Sequence, residues 1–300
     1  MNFRTCLVIC SATFMISSCK LSTTPVELLK EQINEELSKQ PGSFAVAFKD
    51  LTSGDMILIN EQESFHAAST MKTPVMIELF RQSAAGKFSL KDSLVIRNEF
   101  RSIVDSSIYH LSPDDDSELD LYKHEGEKRS LLDLMRLMIT VSSNLATNLL
   151  IEYAGPQNVN KTMQDLGAKG VLVLRGVEDD KAYQKGLNNQ VTAAGLLTIY
   201  EKMAKDELVS KDASEQMTSI LLDQHFREII PAQLPPEVKV AHKTGWFKSV
   251  NHDSGFVILP DGRKYVLVLL SKNIPNDKEA IKALANISGM IYKYEAGSEE

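Results

Sequence analysis

Apolar residues recur at helical spacing in several segments of the chain. The first is VELLKEQINEELSK, where Leu28, Leu29, Ile33 and Leu37 fall at helical spacing before Pro41-Gly42 ends the pattern. The same spacing predicts further helices, over 69–85, as a pair within 130–155, and over 156–166, 192–205, 210–223 and 278–295. Their Met content is ordinary core filling, so helices of a buried core are expected.

Strand-like patterns occur near both ends of the sequence. SFAVAFKD and MILIN flank the turn residues LTSGD, and EVKVAHKTGWF precedes a hairpin that turns at 260–263. Strands at both ends with helices between them predict an α/β fold of the α+β type. We expect an antiparallel sheet of about five strands, flanked by N- and C-terminal helices. This sheet part comprises about residues 25–65 and 236–295. An all-helical subdomain of about 66–235 is inserted into it.

The first 18 residues have the features of an export signal. Arg4 precedes the apolar run CLVICSATFMI, which is too short to span a membrane, and small residues lead to Cys19. ISSC resembles a bacterial lipobox, which predicts a lipid on Cys19, a tether over 19–24 and a domain over 25–300; the alternative is a plain secretory signal. We therefore expect an exported protein, periplasmic or at the outer surface, and membrane-anchored. All three cysteines lie in this segment, so no internal disulfide is expected.

Composition and charge exclude several function classes. The 300 residues carry 33 basic and 40 acidic side chains, a net charge of -7, and no basic run, which argues against nucleic-acid binding. Six histidines without metal-ligand spacing and no glycine-rich phosphate loop predict neither metal nor cofactor. The polar segment 105–129 predicts a long loop or lid, and its cluster 114–116 lacks an EF-hand pattern, so we expect a solvated surface there. We expect a monomer.

Ser69 and Lys72 form an S-x-x-K motif at the start of a predicted helix. Positions three apart share a helical face, so the two side chains can exchange a proton. An amine activates a serine only if it loses its own proton easily, which burial and a second nearby cation both favour. The alternative is a capped helix with a solvated lysine, and Ser17 with Lys20 forms a second S-x-x-K by chance.

Two more motifs follow in order. S-x-N at Ser142 and Asn144 interrupts an apolar helix pair, and K-T-G at 243–245 follows a predicted strand. Each alone has a structural explanation, as a helix cap or a strand end. The order S-x-x-K, S-x-N, K-T-G, 73 and then 101 positions apart, each on the expected element, is far more specific.

With these three motifs the chain resembles the penicillin-recognising serine enzymes, most closely the class A β-lactamases and class A-like serine hydrolases, over about residues 25–295. The resemblance implies that Ser69 is the acylated nucleophile and Lys72 its proton partner, while Ser142 relays a proton to the leaving nitrogen. It further implies a set of residues that bind the substrate or stabilise its oxyanion: Asn144, which also binds Lys72; Lys243 and Thr244, which hold a carboxylate; Gly245; and Trp246, whose N–H joins that of Ser69 in an oxyanion hole.

Two positions depart from the family pattern. Ser143 replaces the aspartate usual in the middle of S-D-N. The E-x-x-L-N segment, whose glutamate holds the deacylating water, is absent. In LRGVEDDKAYQKGLNNQVTA the best candidate for that carboxylate is Glu178 and the next is Asp179. A plain acidic surface loop is the alternative.

The function expected from the sequence is opening of β-lactam amides by a serine hydrolase through an acyl-enzyme, as in antibiotic resistance. A D,D-peptidase or esterase acting on cell-wall fragments and a non-turnover penicillin-binding sensor lipoprotein remain alternatives. The deacylation apparatus separates these possibilities, since all of them begin with acylation of the serine. The partners expected are a small β-lactam or cell-wall peptide and, through Cys19, a membrane.

Overall fold

A computed structural model of the chain describes residues 24–297. The helices are α1 (Pro25–Ser38), α2 (Lys72–Ala84), α3 (Leu131–Thr140), α4 (Asn144–Ala154), α5 (Pro156–Asp165), α6 (Asp180–Gln184), α7 (Ala193–Ala204), α8 (Lys211–Leu222) and α9 (Asp277–Ala296). The strands are β1 (Ser43–Asp50), β2 (Met56–Ile59), β3 (Phe65–His66), β4 (Ser93–Val95), β5 (Phe100–Arg101), β6 (Ile108–Tyr109), β7 (Lys128–Ser130), β8 (Gln190–Val191), β9 (Lys239–Phe247), β10 (Val250–Ile258) and β11 (Lys264–Lys272). Short 3₁₀ turns lie at Ala68–Met71, Pro113–Asp115, Leu121–His124 and Ile230–Gln233.

The main sheet has five antiparallel strands in the order β2-β1-β11-β10-β9. Strand β1 pairs with β11 from Ser43↔Lys272 to Asp50↔Tyr265, so strands from the two ends of the sequence lie side by side within the sheet. Three smaller two-stranded ribbons pair β3 with β8, β4 with β7 and β5 with β6. The prediction of a five-stranded antiparallel sheet built from both ends of the chain is confirmed, and β9 with its K-T-G forms one edge.

Both faces of the sheet are buried, and alternate residues of β1 show this. Phe44, Val46 and Phe48 pack with α1 and α9, whereas Ala45 and Ala47 belong to the larger core of the helical part. Side chains of a strand point alternately to its two faces, so a strand covered on both sides is apolar almost throughout. Three of the four residues of α1 predicted from spacing are buried, at positions 29, 33 and 37, whereas the prediction is wrong for Leu28, which is 49% exposed.

Helix α2 runs through the centre of the helical part. Ten of its residues are buried, including Lys72 at its first position. The predicted helix over 69–85 is confirmed with one difference: residues up to Met71 form a 3₁₀ turn and the α-helix begins at Lys72. Gly86, at φ 74°, follows its end and takes the left-handed backbone that glycine adopts without strain.

The predicted helix pair over 130–155 is also confirmed, with α3 and α4 separated by residues 141–143. The loop 105–129 contains β6, two 3₁₀ turns and the start of β7. Its aspartates differ in exposure: Asp114 and Asp115 are exposed, while Asp116 is only 8% exposed. The prediction of a solvated acidic cluster is therefore wrong for Asp116, whose carboxylate is enclosed by hydrogen-bond donors of α4 and its own loop.

The predicted signal at 1–18, the lipidation site Cys19 and nearly all of the tether lie outside the described residues. Among residues 24–297, no helix combines the length and apolar character that crossing a membrane requires.

Candidate active site

Ser69 lies in the 3₁₀ turn that joins β3 to α2. The residue before it, Ala68, has a φ of 45°, a left-handed conformation uncommon for a residue other than glycine, and its N–H donates to His66 Nδ1 at 3.1 Å. Strand β9 passes close by, since a Cβ placed on Gly245 would lie 3.2 Å from both Ser69 N and Ala68 Cβ. Glycine at 245 therefore lets the edge strand approach the serine closely.

Lys72 is fully buried, and its amine is directed at the S-x-N corner. Nζ donates to Ser142 O at 2.7 Å, to Ser142 Oγ at 3.0 Å and to Asn144 Oδ1 at 3.2 Å. Burial lowers the pKa of Lys72 to about 7, against the opposing charges of Asp116 and Glu178. A large fraction of this amine is therefore unprotonated at neutral pH, and the alternative of a solvated first-turn lysine is wrong.

Lys243 supplies a second buried cation at the same point. From β9 its Nζ donates to Ser142 Oγ at 3.1 Å and to Thr244 O at 2.9 Å. Burial, followed by the charge of Lys72, holds the pKa of Lys243 well below its usual value, while Asp253 opposes the shift. The neighbouring cation that the S-x-x-K chemistry requires is thus present, although Lys243 lies 171 positions from Lys72 in the sequence.

Ser142 lies at the corner between α3 and α4 with a φ of 60°. The corner is held by Ser143, which caps α4 by accepting from Ala146 N. Because Ser142 Oγ accepts hydrogen bonds from the amines of both lysines, its own hydrogen is left to point elsewhere, into the cleft. A hydroxyl so placed can donate a proton to a bound group and be resupplied by either lysine.

Trp246 occupies the edge strand next to the hairpin turn. It pairs with Asn251, one step from the closing pair Phe247↔Val250 of a two-residue turn. Bonded and non-bonded pairs alternate in an antiparallel ladder, so the N–H of Trp246 points away from β10, towards the open edge beside Ser69. Its ring is 67% exposed and its Nε1 donates to Asp277 Oδ2 at 3.3 Å.

Glu178 reaches the same site from the loop 174–189. It has a φ of 61° and is half-buried; Oε2 accepts from Ser112 N at 2.9 Å, and Oε1 lies 3.4 Å from Asn144 Nδ2. Burial raises the pKa of Glu178, and the hydrogen bond from Ser112 opposes the rise. Asp179 is directed elsewhere, accepting from Ser102 Oγ at 2.8 Å and Ile103 N at 2.9 Å. The structure therefore places Glu178, and not Asp179, beside the S-x-N motif.

The loop 174–189 is fastened by two buried asparagines. Asn148 of α4 accepts from Val177 N at 2.6 Å and donates to Val177 O at 3.0 Å, and Asn189 Oδ1 accepts from Leu174 N at 2.7 Å. At Gly176 an added Cβ would lie 2.7 Å from Asn148 Oδ1, so the tight fit requires glycine there. Sequence reasoning missed Asn148, although a second asparagine one turn after Asn144 on an apolar helix is a readable signal.

Asp116 is a further residue that sequence reasoning missed. Its Oδ2 accepts from Asn144 N at 2.8 Å, Leu145 N at 2.9 Å and Tyr122 Oη at 2.9 Å. It therefore caps α4 from a separate segment and holds the backbone of the S-x-N asparagine. No spacing in the sequence links position 116 to the triplet, so only the fold shows this contact.

Two cavities meet at Ser69, Asn144 and Trp246. One, of about 630 Å³, extends along the loop 174–189 and includes Glu178; the other, of about 640 Å³, extends past Ser142 and Thr244. Together they form one cleft with the serine at its middle, which suits a substrate with substituents on both sides of the reacting bond. Within residues 24–297, no group of three or more His, Cys, Asp or Glu side chains is arranged to hold a metal ion.

The beta-lactamase enzyme family matches residues 28–295. A beta-lactamase of Bacteroides uniformis is 26% identical over 253 residues, 80% of this chain and 82% of the relative. The extended-spectrum beta-lactamase PER-1 of Pseudomonas aeruginosa is 22% identical over 96% of this chain and 94% of its own.

A solved mutant of PBP-A, an acyl-enzyme complex with penicillin G, is 26% identical, with a TM-score of 0.79 over 92% of this chain and 99% of that one. The matched region contains the five-stranded sheet, the helical part and all three motifs. The protein is therefore a member of the beta-lactamase enzyme family.

Proposed function

We propose that this protein is a serine hydrolase that opens β-lactam amides through an acyl-enzyme on Ser69. The observation that carries the proposal is the meeting of two buried lysines at one hydroxyl, with Lys72 Nζ 3.0 Å and Lys243 Nζ 3.1 Å from Ser142 Oγ. Burying two amines together is costly. Burial lowers the pKa of Lys72 to the range that a general base needs.

Acylation begins when Ser69 Oγ attacks the lactam carbonyl and its proton passes to the neutral amine of Lys72. The N–H groups of Ser69 and Trp246 stabilise the oxyanion. When the C–N bond breaks, Ser142 gives its proton to the leaving nitrogen and regains one from the protonated Lys72. Thr244 and Lys243 hold the substrate carboxylate, and the product of this half-reaction is an ester at Ser69.

Deacylation requires water to attack that ester. In the proposal Glu178 takes a proton from the water, because its carboxylate lies in the cleft beside Asn144 and burial raises its pKa. The ester C–O bond then breaks, Ser69 regains its proton, and the opened acid leaves.

The test is to incubate the mature domain with a chromogenic cephalosporin while following absorbance and protein mass. We expect colour development, with a transient mass increase that is absent in Ser69→Ala. Trp246 is the single tryptophan of the chain and borders the cleft, so its fluorescence reports substrate binding independently of turnover. Binding without a mass increase would contradict the proposed acylation.

One observation favours a second candidate, a penicillin-binding protein that acylates and hydrolyses slowly. Glu178 Oε2 is already engaged by Ser112 N, which leaves less of the carboxylate free to orient water. In that case the same experiment gives a stable mass increase equal to one bound β-lactam and a single stoichiometric burst of colour.

We also propose that Cys19 carries a lipid that anchors the exported domain. The support is the ISSC sequence after an apolar run. Wild type should partition into detergent with membranes, while Cys19→Ser should be released or keep its signal. Recovery of wild type only in the soluble fraction would contradict the anchor.

A further inference from the structure

The middle position of the S-x-N triplet is occupied by a serine, and a carboxylate from another segment lies against it. Asp116 Oδ2 lies 3.5 Å from Ser143 Oγ, and Ser143 is fully buried. The side-chain oxygens of Asp116 act as acceptors in these hydrogen bonds, including one from Glu118 N at 3.1 Å, as the oxygens of an ionised carboxylate do. Its position at the N-terminus of α4 also places negative charge where the helix dipole favours it.

Asn144 connects this carboxylate to the reactive lysine. Its backbone N–H donates to Asp116 at 2.8 Å, and its side-chain Oδ1 accepts from Lys72 Nζ at 3.2 Å. A displacement of Asp116 would therefore move the residue that orients the amine.

We propose that Asp116 is a positioning residue that supplies, from the loop 105–129, the carboxylate that related enzymes carry in the middle of S-D-N. It holds the S-x-N corner in place and sets a negative charge near Lys72, so Ser143 can be neutral. A carboxylate at both positions at once would place two like charges together, so a neutral serine at 143 suits a chain in which Asp116 occupies this place.

The electrostatic part of this role acts on Lys72. The charge of Asp116 raises the pKa of Lys72 against the larger effect of burial, as does that of Glu178. Removing the charge of Asp116 should therefore lower the pKa of Lys72 further. A purely structural cap would leave this pKa unchanged when the cap geometry is kept.

The direct test is the NMR titration of the Lys72 side chain in protein labelled at lysine, assigned with Lys72→Arg. Asp116→Asn keeps the shape and one acceptor oxygen but removes the charge, and we expect the pKa of Lys72 to fall by roughly one unit. Asp120→Asn is the matched control, because Asp120 is exposed on the same loop and its carboxylate pairs with Lys123 and His124 at the surface. An unchanged pKa in Asp116→Asn, or an equal fall in both variants, would overturn the proposal.

A rescue variant distinguishes position from general charge. In the double variant Asp116→Asn with Ser143→Asp, the carboxylate moves to the middle of the triplet, and aspartate also caps helices well. We expect the double variant to recover at least half of the fall in the pKa of Lys72. No recovery would contradict the proposal that Asp116 replaces the aspartate of S-D-N.

If Asp116→Asn does not fold, Tyr122→Phe is the second variant. It removes a hydrogen-bond donor to the Asp116 carboxylate and should raise the pKa of Lys72, and no change in that pKa would refute the electrostatic role.

The catalytic consequence rests on the proposed function, since it concerns acylation of Ser69. The acid limb of the single-turnover acylation rate should move to lower pH in Asp116→Asn and stay in Asp120→Asn. If wild type forms no acyl-enzyme with any β-lactam, the proposed function fails, while the titration still decides the role of Asp116.

Discussion

The two halves of the cleft are built in different ways. Lys72, Ser142 and Lys243 project from a central helix, a helix corner and a sheet strand, and both amines are fully buried. Glu178 projects from an irregular loop that is fastened by two asparagine side chains, and it remains half-buried. The first half serves acylation in the proposed mechanism, and the second serves deacylation.

This difference has a physical consequence. Residues on regular elements are fixed by many backbone hydrogen bonds, so substitutions elsewhere displace them little. A loop residue is fixed by a few side-chain contacts and can shift or lose its role without loss of the fold. We therefore expect acylation to be robust in this chain and deacylation to be the step that varies.

Lys72→Arg is expected to give the largest effect. Arginine is never deprotonated in proteins, so acylation should slow on the order of 10²–10⁴-fold, measured by mass spectrometry of single-turnover reactions. Lys87→Arg, the same exchange at an exposed site, is the control, and circular dichroism checks the fold. Acylation at the wild-type rate would remove Lys72 from the mechanism.

Glu178→Gln tests the second half by itself. Loss of the base should slow hydrolysis on the order of 10²-fold and leave acyl-enzyme formation much less affected, so the variant accumulates acylated protein. Glu125→Gln, the same exchange at an exposed position away from the cleft, should turn over normally. Equal turnover of wild type and Glu178→Gln would show that another group activates water, and persistent acylation of both would favour the slow-turnover candidate.

The pH dependence of acylation should follow Lys72. Its neutral form is the base, and burial lowers its pKa to about 7, so the acylation rate should fall about tenfold per unit as pH drops below that value. Rapid-quench mass measurements of single-turnover acylation by the wild type between pH 5 and 9 test this; in Glu178→Gln, which loses a charge that raises the pKa of Lys72, the fall should begin at lower pH. A flat profile down to pH 5 would contradict a lysine base with this pKa.

Asn148→Ala should produce the smallest effect. It removes both hydrogen bonds that hold Val177 and loosens the loop carrying Glu178, so deacylation should slow roughly tenfold while acylation changes less. Asn158→Ala, which removes an asparagine bond to Ala154 O away from the cleft, is the matched control. If acylation and deacylation fell equally, the damage would be to the shared helix α4 and not to the loop.

The regular part of the molecule could be predicted from local patterns. Spacing gave the buried face of α1, the break between α3 and α4 and the five-stranded sheet, because a residue's periodicity records which face is buried. The motifs also indicated that Lys72 needs a second cation, which Lys243 provides. The prediction of a solvated cluster at 114–116 was wrong because burial of Asp116 depends on donors of α4 that no local pattern shows, and Leu28 was wrongly assigned to the apolar face of α1.

What the sequence by itself determined is therefore the set of elements and the three motifs, since both are encoded over a few adjacent residues. Only the tertiary structure decided that Lys72 and Lys243 share the hydroxyl of Ser142, that Glu178 and not Asp179 faces Asn144, and that Asp116 caps the triplet. These are contacts between residues from 28 to 101 positions apart. Their geometry depends on how helices and strands pack, and the resulting burial sets the pKa values on which the chemistry depends.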